Sequence, residues 1–294
     1  MNDIARANGR TFLLLGLLGV GSLLILGLVT SFFTLAPFIK FLHSCSRMLA
    51  VPKFYLWIGI LGLAFLVNFL GYIIYTAIKQ KVALNKYLVT LTFLGEKPDK
   101  LKTAIHRTGT KKRVLCVEST KTLAFTYGLI SPKIVVSTSL VEILDEDELV
   151  AVLHHEICHC QQRDPLKLCS IKFLFSSVFR FNPIANLINY FLLTMELRAD
   201  EYATRLTDCS WSLASALLKV IQAETYLPEY AVGITTVLDA RVERCLNQEW
   251  MPEPALGRKD KMILAGYASV MGLIIYFTYS KLMINFGCHI NFPV

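Results

Sequence analysis

His155 and His159 stand four residues apart in "LHHEICHCQQRDP", residues 153–165, with Glu156 between them. On a helix this spacing puts both imidazoles on one face, with Cβ atoms about 5–6 Å apart. Two imidazoles so placed can chelate one Zn2+, and Glu156 lies where a general base could take a proton from water. H-E-x-x-H on a helix is therefore a metalloprotease motif with a mechanism behind it. His154 sits about 100° round the helix from His155, which suits packing or surface better than ligation. Cys158 and Cys160 point away from the ligand stripe and read as core. The eight cysteines include no C-x-x-C pair, so neither a zinc ribbon nor a thioredoxin-like motif is available.

A catalytic zinc takes three protein ligands and keeps one position open. A third ligand is on offer in "TMELRADEYATR", residues 194–205, where Glu196 and Asp200 share a helical face. Glu196 could complete a His2Glu set, and Asp200, one turn on, could orient a ligating imidazole. The competing reading is a solvated acidic helix pairing with Arg198 and Arg205. Tyr202 and Arg205 lie near Glu196, but neither can be assigned to the oxyanion from sequence.

These residues need elements to hold them. Asp145 can cap the motif helix, with Glu148 completing a capping box, and the acidic run "DEDE" suits the positive end of the helix dipole. The spacing predicts a helix to Arg163, since Pro165 limits continuation. Upstream, "RVLCVEST" and "KIVVSTSL" are short β-branched runs that read as strands, joined through a turn at Gly128 and Pro132. Lys79 to Phe93 reads as a helical continuation of the segment before it.

The chain around this domain is apolar. It is 54% hydrophobic, with mean hydropathy +0.50, which points to membrane insertion. Three stretches carry the excess: residues 11–39 and 54–78, both without charge, and residues 262–280, between Lys261 and Lys281. Each reaches the roughly 20 residues needed to cross ~30 Å of hydrocarbon. The first is too long for a signal-peptide core, so it is expected to be retained. Arg6, Arg10, Lys79, Lys81, Lys86, Arg258, Lys259 and Lys261 place the N-terminus and central domain in the cytoplasm and the tail outside. Lys40, Arg47 and Lys53, in the first connector, run against that rule.

Residues 168–195 are apolar but interrupted by Lys172, Arg180, Asn182 and Pro183. They read as a membrane-dipping hairpin or as two helices packed on the zinc domain rather than as a fourth crossing, because one full crossing would separate Glu196 from the histidines. The net charge of +8 suits a domain facing anionic lipid. The densest basic run, residues 97–113, lacks interleaved aromatics, so direct nucleic-acid binding is not expected.

From about residue 114 to 246 the chain resembles the BlaR/MecR-type antirepressor membrane zinc metallopeptidases. The matching stretches are "AFTYGLISPKIVVS", "DELVAVLHHEICHCQQRDPL", "FNPIANLI", "MELRADEYA" and "ARVERCL", in family order. The combination is similar also to the HtpX and CAAX prenyl proteases. The resemblance implies one Zn2+ per chain on His155, His159 and Glu196, with Glu156 as general base. It also implies that Ala124, Phe125, Thr126, Tyr127 and Gly128 form an edge strand that pairs with extended substrate. The family's sensors carry a penicillin-binding domain after their last span. No S-x-x-K motif follows residue 280 here, so direct β-lactam sensing by this chain is not expected.

The expected architecture is an α-helical membrane protein with an inserted α+β zincin-like (gluzincin) metallopeptidase domain. It has about three transmembrane helices plus a membrane-dipping hairpin. Residues 1–79 form the first helix pair, 80–260 the cytoplasmic peptidase domain, and 261–294 the last helix and outward tail. The expected function is that of a multi-pass inner (cytoplasmic) membrane zinc endopeptidase. Its partners are the lipid bilayer and a cytoplasmic protein substrate, a transcriptional repressor in a signal-response pathway. The alternatives are an HtpX-like or CAAX-type protease in quality control or processing, and a non-catalytic membrane signalling scaffold.

Overall fold

The computed structural model describes residues 3–19, 21–22, 91–175, 182–207, 210–223, 240–244 and 256–287, together with 27, 67, 71, 74–75, 78–79, 82, 89 and 252. Most of the stretches expected to span the membrane at 11–39 and 54–78 lies outside these residues. The chain divides into two compact units. One takes in Met1–Leu15, Val82–Lys172 and Phe179–Ala255; the other takes in Gly16–Lys81, Phe173–Val178 and Leu256–Val294.

In the first unit a mixed sheet is built from β1 (Thr92–Phe93), β2 (Val114–Glu118), β3 (Ala124–Tyr127) and β4 (Lys133–Ser137), in the order β1-β2-β4-β3. β2 and β4 run parallel; β1 and β3 pair antiparallel at the two edges. β1 corrects the expectation of a helix through Phe93. Thr92 and Phe93 pair with Glu118 and Val117, and the Leu94 N–H donates to the Cys116 carbonyl at 2.9 Å. Thr and Phe suit a pleated surface, and the ladder satisfies backbone groups that a fraying helix end would leave open.

β4 ends earlier than the expected run to Leu140. The Ser137 hydroxyl accepts from the Leu140 N–H at 3.2 Å and so caps α2 (Thr138–Ile143). α1 (Asp99–Thr108) precedes β2, and α3 (Glu146–Gln162) carries the motif. The capping box at its start is complete. Asp145 accepts from the Glu148 N–H and Glu148 from the Asp145 N–H, each at 2.8 Å. Glu148 also takes Ser215 Oγ at 2.5 Å and Lys219 Nζ at 2.7 Å, which pins α3 to α6 (Ser210–Ala223).

The core lies between sheet and helices. Leu101 and Ala104 of α1, Cys116, Ile134 and Val136 of the sheet, and Leu149, Leu153 and Ile157 of α3 bury one face each. Each fully buried leucine contributes about 1.5–3 kcal/mol.

α3 stops one residue short of the expected Arg163. Arg163 takes the left-handed conformation, φ 53°, as the one positive-φ non-glycine among the described residues. Pro165 does not break a helix here; it sits at the start of α4 (Asp164–Phe175), where its missing N–H is no loss. α5 (Asn182–Thr207) carries the second motif. The 168–195 segment thus holds two helices, with 176–181 outside the described residues.

The N-terminal helix, residues 3–19, begins within the first unit, where Ile4, Asn8, Thr11 and Leu15 are buried. In the second unit, α7 (Arg258–Gly287) is long and apolar enough over Arg258–Phe277 to cross a membrane. It is the one such helix among the described residues.

Candidate metal centre

α3 and α5 bring the two motifs together. His155 Nε2 and His159 Nε2 are 3.0 Å apart, with the rings nearly perpendicular at 81°. Glu196 faces both: Oε2 lies 3.3 Å from His155 Nε2, and Oε1 lies 3.6 Å from His159 Nε2. The three side chains make a ligand set on which one metal ion fits.

The opposite nitrogens are fixed. His155 Nδ1 lies 2.8 Å from Asp200 Oδ1, and His159 Nδ1 lies 2.8 Å from Asp164 Oδ2. A carboxylate on each Nδ1 holds the proton there and leaves each Nε2 a lone pair. Two lone pairs 3.0 Å apart beside a carboxylate repel unless a cation lies among them. The donor set therefore fits a divalent metal on its own chemistry, and nitrogen with carboxylate oxygen suits zinc.

The electrostatics agree. Burial and the charge of Arg241 pull the His155 imidazolium pKa down. Asp200 and Glu196 outweigh them and push it up to about 9. Burial would raise the Glu196 carboxyl, but His159, His155 and Arg241 hold it well below the usual carboxylate range. Both shifts record one demand for positive charge at this point.

Glu156 shares the turn but not the ligand set. Its Oε2 accepts from Thr126 Oγ1 at 2.7 Å, and its backbone carbonyl accepts from the same hydroxyl at 3.1 Å. Thr126 thus turns its side chain toward Glu156. The sheet register shows where its main chain faces. The Ile134 N–H donates to Arg113 O at 3.0 Å, and the Ser137 N–H to Leu123 O at 2.9 Å. Successive residues aim main-chain groups at opposite neighbours, so Ile134 and Val136 serve β2 while Lys133 and Val135 serve β3. The partners of Lys133 and Val135 are Tyr127 and Phe125. The N–H and C=O groups of Ala124 and Thr126 consequently face an edge that no strand covers among the described residues. Phe125 and Tyr127 lie on the other face, ring centroids 6.3 Å apart. Gly128 ends the strand at φ 102°, where a Cβ would stand 2.9 Å from the Ser131 carbonyl oxygen. Only glycine fits that turn without strain.

Three further residues support the site, none of them expected there from the sequence. Asp164 pairs with His159, because the left-handed Arg163 turns it back over the last turn of α3. Arg241, within "ARVERCL", grips Asp200 through Nε and Nη2, each at 2.8 Å, and places Nη1 3.3 Å from Glu196 Oε2. Arg198 was weighed as a solvent-facing partner of an acidic helix. It is buried instead, with Nη2 2.6 Å from Asp164 Oδ2. His154 is buried with its ring edge toward Tyr202, and Tyr202 accepts from Gln161 Nε2 at 3.0 Å. Cys158 and Cys160 are buried, and burial pushes the Cys158 thiol up to about 11.

No curated protein matches the chain. Among solved structures, the crystal structure of S. mikatae Ste24p aligns at 18% identity with a TM-score of 0.38, over 83% of this chain and 66% of that one. The chain thus spans just under two thirds of that protein's length. Residues 94–258 match peptidase family M48. The matched region is more than half of the sequence and contains every ligand candidate described above: the chain belongs to peptidase family M48.

Proposed function

We propose that this chain is a membrane-anchored zinc-dependent endopeptidase that cleaves a protein bound as an added strand along β3. The observation that carries this reading is the convergence of His155 Nε2, His159 Nε2 and Glu196 on one point, with Glu156 beside it. His155, His159 and Glu196 would hold the zinc. When bound, the metal acidifies water and polarises a carbonyl.

The chain's own residues supply the remainder. Ala124 and Thr126 offer main-chain donors and acceptors to an extended peptide. Glu156 takes the proton of the attacking water and returns it to the leaving amine. Thr126 Oγ1 holds the Glu156 carboxylate at 2.7 Å while that happens. Asp200 and Asp164 keep the imidazoles in register, and Arg241 keeps Asp200 in place.

Membership of family M48 is compatible with quality control or processing, the HtpX-like or CAAX-type reading. The repressor reading rests on the BlaR/MecR resemblance alone. Membrane anchorage rests on α7 and on the apolar stretches at 11–39 and 54–78; the cytoplasmic face rests on the lysine and arginine distribution.

The test is Glu156→Gln. Zinc content and folding should persist, while cleavage of an unfolded protein substrate should fall by about 10²–10⁴-fold. Equal turnover would remove Glu156 from the mechanism. Cleavage by neither form would favour the scaffold reading. A co-encoded repressor cut by the wild type alone would restore the antirepressor reading.

A further inference from the structure

We propose that Asn8 is a positioning residue for the metal ligand His159, so that the N-terminal helix is part of the frame of the metal centre. The proposal rests on the metal-binding reading above. Ile4, Asn8, Thr11 and Leu15 recur at spacings of four, three and four, and each is at most 7% exposed. That is one stripe of a helix, and Asn8 is its most polar member. Burying an amide costs free energy unless its atoms are paired.

Asn8 is paired through both ends of its side chain. Nδ2 donates to the Phe191 carbonyl and to Thr194 Oγ1, both at 3.0 Å. Oδ1 accepts from Arg198 Nη1 at 2.7 Å. Arg198 Nη2 donates to Asp164 Oδ2 at 2.6 Å, and the same oxygen lies 2.8 Å from His159 Nδ1. The path from Asn8 to the ligand is thus three consecutive hydrogen bonds through buried groups.

The guanidinium explains why Asn8 matters. Arg198 Nε is buried without a hydrogen-bond partner. Asn8 Oδ1 and Asp164 Oδ2 are therefore the two oxygens that set its plane. Without Asn8, the guanidinium keeps one oxygen anchor, Asp164, beside the Cys158 thiol, and its plane is less fixed. Asp164 then has a less fixed donor, and His159 Nδ1 a less fixed acceptor. Lys167, 3.1 Å from the other Asp164 oxygen, is on a flexible stem and does not replace that constraint.

The experiment uses the full chain in detergent and reads zinc affinity by competition with a chromophoric chelator, alongside helical circular dichroism. Asn8→Leu keeps the apolar stripe and removes the acceptor. Zinc affinity should fall about 10-fold, the lower end of the range for outer-shell partners of a ligand. Asn8→Asp keeps an acceptor for Arg198 and should bind zinc within a few-fold of wild type. Arg198→Met should show the same loss as Asn8→Leu, and the double variant should lose little more, since both break one path. Should Asn8→Leu not fold, Asn8→Ser, too short to reach Arg198, takes its place with the same expectation.

Unchanged zinc affinity in the folded Asn8 variant overturns the proposal. So does equal loss in Asn8→Leu and Asn8→Asp, or additive loss in the double variant. A wild-type chain that binds no zinc overturns the metal-binding reading itself, so the two failures are distinguishable.

Discussion

Asp164 and Asp200 hold the two motif histidines by the same atom at the same distance, Nδ1 at 2.8 Å. They come from different helices and have different supporters, Arg198 and Lys167 for one, Arg241 for the other. Each imidazole is thereby fixed in the tautomer that leaves Nε2 for a metal.

Ligands and supporters should separate in a zinc titration. His155→Ala, His159→Ala and Glu196→Ala should each remove most bound zinc, because two protein ligands remain. Asp164→Asn and Asp200→Asn should weaken binding by about 10–100-fold without abolishing it. Chelator competition on each variant checks this; a Glu196→Ala chain that holds one equivalent at wild-type affinity would place the third ligand elsewhere.

Acid should loosen the junction of α3 and α6 through Glu148. Burial would raise its carboxyl pKa, but Lys219, Ser215 and the Asp145 N–H outweigh that and lower it from 4.5. A carboxyl whose folded pKa is depressed stabilises the fold above its unfolded value. That contribution is lost as pH falls through the folded value. Glu148→Gln should therefore lower the unfolding midpoint at pH 7, and the gap to wild type should narrow below about pH 4.5. A gap that widens in acid would contradict the assignment. Thermal scans of both chains at matched pH give the answer.

The register of β3 makes a sharp distinction between neighbours. Phe125→Pro removes a ladder hydrogen bond to Val135 and should destabilise the domain. Ala124→Pro removes an N–H that faces the open edge. It should cost less stability while raising KM for a protein substrate. Melting curves and initial rates on the two variants test the parity; the reverse pattern would invert it.

Gly128→Ala should destabilise the β3–β4 turn by about 1 kcal/mol or more, because its φ is 102° and the new Cβ meets the Ser131 carbonyl oxygen. Denaturant midpoints measure it. An unchanged midpoint would mean that the turn adapts.

Reporter fusions after Lys86 and after Gln248 should both report cytoplasm, and one at Val294 the outside. A cytoplasmic signal at Lys86 with an external one at Gln248 would split His155 from Glu196 across the membrane. The metal-centre reading would then fail.

The candidate ligand set was legible because its members pair along their own helices. A spacing of four fixes His155 against His159, and Glu196 against Asp200, with no knowledge of tertiary structure. The capping box at Asp145 was legible for the same local reason. Asp164, Arg241 and Asn8 were not, because what they do depends on which helices pack together. Asp164 also needs a left-handed residue at Arg163, which arginine does not advertise. Asn8 lies just before the apolar stretch that begins at Thr11, and nothing local reveals that its side chain turns to Phe191 and Thr194 of α5. β1 was misread because Thr92 and Phe93 owe their conformation to Val117 and Glu118, well along the chain.

On the proposed function, substrate is recognised along β3 by main-chain groups, and that decides what the site can discriminate. The edge-facing amides and carbonyls of Ala124 and Thr126 are the same whatever side chains a visitor carries. What they demand is a stretch of polypeptide free to lie straight. Folded domains keep their backbone groups engaged and would be passed over; a damaged or loosened chain presents them at once. Selection at β3 is then a test of conformational integrity, and the rate at which a given protein is cut should follow how often it opens locally.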